Sequence, residues 1–445
     1  MRLFVTAGPR RGARYGRISY ASELVYHRGR SGGMPMPIRA RATLITTLLF
    51  TMHAAAHVVA VRDTGELTDA VTNARAGDDI VLADGTYAVL YKLHADASGT
   101  VTAPITVRAE HKLGARILSS DVIGFEVTGA NWHFADLDIY GTCRNDTDCE
   151  HAFHVVGNAS GFHLTGSRLS NFNAHLKVNA DGERHLPADG LVENNEFFDS
   201  HPRHTDNPVA PVNIDDSVNW IVRGNLIHDF QKDGSGEGSY GAFVKGGSTG
   251  ALIERNMIQC ASNHASLGQM VGLSFGAHGM APQLCPPHWD AAIQCSPEVT
   301  AGIMRNNIIG NCSDDGIYLN KASDSKILYN TLIRTGGIEF RFPASSGVAR
   351  GNLMTGTIRA TDGGHFTDGG NASGIASEQA LANWQTPQAT GTPHLRNILG
   401  PDADVADDYC GRPRGPKLEP GALQTSLGPC PLLHWPGRGQ NPAAR

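Results

Sequence analysis

Val222-Arg-Gly-Asn225-Leu-Ile227, Ile253-Glu-Arg-Asn256-Met-Ile258 and Met304-Arg-Asn-Asn307-Ile-Ile309 share one pattern: apolar, any, any, Asn, apolar, apolar. The pattern returns in Ala349-Arg-Gly-Asn352-Leu-Met354 and in Leu328-Tyr-Asn330-Thr-Leu-Ile333, where Asn330 reads one place early. Val192-Glu-Asn-Asn195-Glu-Phe197 and Leu164-Thr-Gly-Ser167-Arg-Leu169 are looser copies. From Asn195 to Asn352 the asparagines are spaced by 30, 31, 51, 23 and 22 residues. A repeat of this size marks a solenoid, whose units share one continuous core because none can bury its apolar face alone. The shortest interval suits one turn of a right-handed parallel β-helix. Longer intervals carry loops, and the interval of 51 predicts a whole extra turn around Val271-Gly-Leu-Ser-Phe275.

Asn suits a corner between strands. It tolerates unusual backbone angles, and its amide can bond the turns above and below. Asn195, Asn225, Asn256, Asn307 and Asn352 are therefore read as scaffold. The composition agrees. Glycine supplies 52 of 445 residues, above the ordinary ~7%, and many corners need it. Charged residues are only 18%, against ~25% in an average domain, yet the chain is too apolar to be disordered. The net charge of −6 lacks the basic excess of a nucleic-acid partner. The length allows two or three domains, but the repeat spends it on one solenoid. The fold class is all-β, a right-handed parallel β-helix with a short capping helix over residues 66–76, and a monomer is expected. The run Gly77-Asp-Asp-Ile-Val-Leu-Ala-Asp-Gly-Thr-Tyr87 reads as the first strand.

The ends read differently. Residues 34–56 look like a secretory signal: Arg39 and Arg41, an apolar core over 42–52, then Ala54-Ala55-Ala56 for cleavage. That core is too short to span a membrane. Residues 1–33 form an Arg- and Gly-rich extension, and Met34 or Met36 is the expected start. The β-helix should occupy 57–400, and the Pro- and Gly-rich 401–445 an irregular C-terminal cover. All eight cysteines follow the signal, which suits disulfides in an exported protein, secreted or periplasmic. Spacing favours Cys143–Cys149, Cys285–Cys295 and Cys410–Cys430, and the repeat register adds Cys260–Cys312.

Side chains alternate along a strand. Taking Leu176/Val178, Val212/Ile214, Ala242/Val244, Ile317/Leu319 and Ile338/Phe340 as inward leaves two outward columns. One holds Lys177, Asn213, Phe243, Tyr318 and Glu339. The other holds Asn179, Asp215, Lys245, Asn320 and Arg341. With turns ~4.8 Å apart, these residues would line one groove several sugars long. His201 and His204 lie on a loop nearby and could touch a ligand.

The run Ala70-x-x-x-Ala-Arg-Ala-Gly-Asp-Asp-Ile-Val-Leu-Ala-Asp-Gly-Thr-Tyr87 resembles the opening of parallel β-helix polysaccharide lyases. So does Gly99-Thr-Val-Thr-Ala-Pro-Ile-Thr-Val-Arg-Ala-Glu110. The resemblance is to family 6, the alginate lyases and chondroitinase B, and covers roughly residues 60–400. It implies β-elimination on an acidic polysaccharide. Such chemistry needs a cation for the sugar carboxylate, a base for the C5 proton and an acid for O4. Lys245 stands where that family places its catalytic lysine, and a lysine serves as base when burial or cations lower its pKa. The family's arginine in the next turn is missing from Gly272-Leu-Ser-Phe-Gly-Ala-His-Gly279. His278 or Arg341 would have to replace it. Lys177, Asn179, Tyr318, Asn320, Glu339 and His204 would bind substrate. The family's Ca2+ would fall to Asn213 and Asp215 as oxygen ligands, although the expected Glu pair before the lysine is absent. Two other readings stand beside this one. A glycoside hydrolase would use Asp215, Asp314 or Asp315 as acid and base. A non-catalytic β-helix would bind glycan without turnover.

Overall fold

The computed structural model describes residues 57–233, 238–261, 268–277, 295–374, 403–416, 418–424, 427 and 430. The described residues all belong to one compact unit, Ala54–Arg445. The extension 1–33 and the signal 34–56 lie outside the described residues, as does His278.

The helix is Thr64–Thr72. Asp63 caps it by accepting from the Glu66 N–H, and Glu66 accepts from the Arg62 N–H, a reciprocal arrangement that satisfies free donors at a helix start. Leu67 and Val71, one helical turn apart, are its buried residues. It begins and ends earlier than 66–76 because Asn73 caps its end and Gly77 turns the chain at φ +89°. The expected first strand is two, Asp78–Leu82 and Gly85–Val89. His57–Val61 precedes the helix and pairs with Asp78–Leu82.

From there the chain coils through three long sheets of 12, 10 and 10 strands. Each successive strand pairs with its counterpart one turn earlier, and the ladders are parallel, as with Ile221–Arg223 on Leu252–Glu254. The fold is the expected parallel β-helix. The apolar pattern explains it: Val192, Val222, Ile253, Met304 and Ile327 are at most 1% exposed and stack inside one core. All five inward pairs read from alternation are buried as well.

The asparagines form the expected ladder. The Asn225 backbone N–H and side-chain amide both donate to Asn256 Oδ1, at 3.0 and 2.9 Å, and Asn225 also donates to the Val192 carbonyl. Asn256 repeats this toward Asn307, Asn307 toward Asn330, and Asn330 toward Asn352. Asn330 is thus in register, because Ile327 rather than Leu328 pairs with Met304 inside. Asn371 adds a further rung. Asn256 and Asn307 are adjacent rungs, so the interval of 51 residues is a single turn. Met270–Phe275 is that turn's third strand rather than part of an extra turn.

Cys143–Cys149, Cys260–Cys312 and Cys410–Cys430 pair as expected. Cys295 is disulfide-bonded, and Cys285 lies outside the described residues. The segment from 403 lies along the flank of the coil. Tyr409, Ala422 and Cys430 pack on Met257 and Ile308, and Asp407 pairs with Arg255 at 3.0 Å. No helix of the described residues is long and apolar enough to cross a membrane.

Candidate active site

One ten-stranded sheet carries both outward columns. Strands Ala174–Asn179, Val212–Asp215 and Ser239–Lys245 lie side by side. Lys177 is opposite Asn213, Asn213 opposite Phe243, and Asp215 opposite Lys245. Further on, Tyr318 is opposite Glu339 and Asn320 opposite Arg341. The columns read from alternation therefore have the register of the sheet. Ser274 fills the place between Phe243 and Tyr318.

Asp215 gathers two lysines. The Lys177 ammonium donates to Asp215 Oδ2 and, at 3.0 Å, to Asn213 Oδ1. Lys245 Nζ lies 3.7 Å from Asp215 Oδ1 and 5.0 Å from the Phe243 ring centroid. The side chains are 16%, 5% and 13% exposed for Lys177, Asp215 and Lys245. Burial pulls the Lys177 pKa down, the nearby Lys245 charge acts the same way, and Asp215 opposes both. An open groove was expected, but the outer face is partly covered. Ala210, Tyr240, Phe243, Val271, Ala277 and Tyr318 form an apolar cluster of their own there.

Two acids lie beside this cluster. Asp216 takes φ +44°, and its carboxyl is pushed up to about 7 by burial and by the Asp215 charge. Glu298 accepts from the Gly246 N–H at 2.9 Å, and burial raises its pKa too. Asp215 Oδ1, Asp216 Oδ1 and Glu298 Oε1 are buried without a hydrogen bond among the described residues. Glu298 escapes a reading by sequence because it arrives from 52 residues beyond Gly246.

The other candidates spread along the sheet. Adjacent strands are ~4.8 Å apart, so Arg341, three strands beyond Lys245, is displaced by about 14 Å. An arginine there does not meet the sugar that Lys245 meets. Arg341 instead donates to Asp362 at 2.6 Å and to Tyr318. Its pKa rises with those bonds, while burial raises Tyr318 to about 12. Glu339 accepts from Arg359 and Thr361. Asn320 donates to the Ala277 carbonyl. His204 bonds Asp233 and Asp146, away from the lysines.

The column also extends the other way, through His154, Glu126 and His94. His154 Nε2 meets Asn179 Oδ1 at 2.8 Å, and burial lowers its pKa. Sequence could have reached it: Phe153 and Val155 are apolar and alternate with His154.

Calcium does not fit Asn213 and Asp215. Both give oxygens to Lys177, and no group of three or more His, Cys, Asp or Glu is placed to hold a metal among the described residues. The hydrolase pair is engaged elsewhere. Asp314 accepts from Gln269, and Asp315 accepts from Arg359 at 2.8 Å.

The fold is similar to that of a solved structure. Pectate lyase Pel9A matches 83% of this chain and 96% of its own, at TM-score 0.59 and 14% identity. The two share a fold. A rhamnogalacturonan lyase covers 71% of this chain and 86% of its own at TM-score 0.44 and 14% identity. An alginate lyase from Paenibacillus covers 73% and 97% at TM-score 0.36 and 14% identity. The sequence matches no protein-family model and no curated protein.

Proposed function

We propose that this protein is an exported lyase that cleaves an acidic, uronate-containing polysaccharide by β-elimination. The observation that carries the reading is the pair of lysines on Asp215, on the outward face of a sheet whose outward positions are mostly polar on either side of an apolar cluster. Polymer binding suits polar positions on successive strands, and elimination suits two adjacent lysines. Lys177 holds positive charge beside the sugar carboxylate, which acidifies the C5 proton. Lys245 gives up its own ammonium proton to solvent and then takes the C5 proton. The C5–H electron pair forms the C4–C5 double bond, the C4–O4 bond breaks, and O4 is protonated by water or by the ammonium just formed. Asn179, Tyr318, Asn320, Glu339 and Arg341 lie at sugars further along, with His204 at the loop. His278, outside the described residues, remains the candidate to stand in for the missing arginine. Export is supported by the disulfides.

The test is a panel of alginate, pectate and chondroitin. A lyase yields ultraviolet-absorbing unsaturated uronate. Reducing ends without that absorbance point to hydrolysis, and binding without turnover points to a glycan-binding solenoid.

A further inference from the structure

We propose that Lys177 is a tethered cation that occupies the place of a bound metal ion, so that the site works without divalent calcium. The inference deepens the lyase reading and rests on it for its catalytic consequence, but its structural core does not.

Asn213 Oδ1 and Asp215 Oδ2 are hard oxygen donors on adjacent outward positions of one strand, the kind of donors a calcium ion takes. Both converge on one ammonium. Asp215 Oδ1 faces a second ammonium, Lys245, at 3.7 Å. A divalent ion between these oxygens would have to displace Lys177 and sit beside Lys245. The charge such an ion would provide is already present and covalently held. It comes from Ala174–Asn179, the strand next to the one that bears the acceptors. A lysine ammonium has three donors. Two are used by Asn213 and Asp215, which leaves one for a carboxylate oxygen of the sugar. A covalently tethered cation needs no free ion and resists chelators.

Calcium binding to the whole chain is the test, by calorimetry and by melting temperature with calcium or chelator. The wild type is expected to show no calcium heat at this site and no shift with either addition. Lys177→Ala is expected to melt lower and to regain stability with calcium, because its oxygens are freed. Lys177→Arg should melt near the wild type and ignore calcium. The proposal is overturned by a wild type that binds one calcium ion per chain and loses it in Asp215→Asn. It is equally overturned by a Lys177→Ala chain that neither loses stability nor responds to calcium. Should that variant fail to fold, the wild-type titration still decides. These readouts need no substrate, so inertness toward every polysaccharide would sink the lyase reading and leave this one standing.

Discussion

Lys177 and Asp215 come from neighbouring strands and meet as an ion pair that is almost closed to solvent. Lys245 shares the same carboxylate. Removing Asp215 would therefore leave two ammonium groups close together without their counter-charge. Asp215→Ala should cost about 3–5 kcal/mol, the usual penalty for breaking a buried pair. Adding Lys177→Met should return part of that loss. Urea unfolding of the two single variants and the double variant reads the coupling, and simple additivity would contradict a shared ion pair.

The asparagine ladder makes its own prediction. Asn256 is fully buried, accepts two hydrogen bonds from Asn225 and donates to Val222, Glu254 and Asn307. Asn256→Ala strands several buried groups at once and should cost about 2–4 kcal/mol. Asn371 ends the ladder and is partly exposed, so Asn371→Ala should cost about 1 kcal/mol. Chemical denaturation compares the two, and equal losses would argue against the ladder as a buried network.

Gly276 follows the strand after Lys245, near the position where the resemblance calls for an arginine. It sits at φ +77°, and a Cβ there would come within 2.0 Å of the Asn320 carbonyl oxygen. Gly276→Ala should therefore lose about 2 kcal/mol or more. Gly276→Arg should lose at least as much without gaining activity. A well-folded, more active Gly276→Arg chain would show that the missing arginine belongs there.

His228 sets a pH dependence. Burial works to lower its pKa, but hydrogen bonds to Asp229 and Glu196 outweigh it and raise the ring from 6.5 to about 9. The folded state thus binds the proton more tightly than the unfolded chain. The resulting stability is fully present below about pH 6.5 and is lost as pH rises through about 9. It amounts to at most about 3 kcal/mol. The melting-temperature gap between wild type and His228→Gln should be wide at acid pH and close in alkali. A gap independent of pH would show that the ring acts by packing on Phe198 alone.

The scaffold was legible because its signal is local and repeated. One Asn per turn and strict alternation placed the core, the corners and both outward columns, including the opposition of Asp215 and Lys245. The misread interval of 51 residues shows the limit: loop length hides where one turn ends, because only the paired strands mark it. The site was less legible for the same reason. That Lys177 turns toward Asp215, that Glu298 packs beneath Gly246, and that Arg341 is held by Asp362 depend on contacts made across turns. Periodicity assigns a residue to a face, but its partner there is chosen by the strands on either side.

The most direct test of the central claim is ultraviolet absorbance of wild type and Lys245→Ala acting on uronate polysaccharides, with both chains shown to be folded. The account predicts that the wild type forms unsaturated uronate from at least one of them, and that Lys245→Ala loses at least about a hundredfold of that rate. A Lys245→Ala chain that retains the wild-type rate would contradict it.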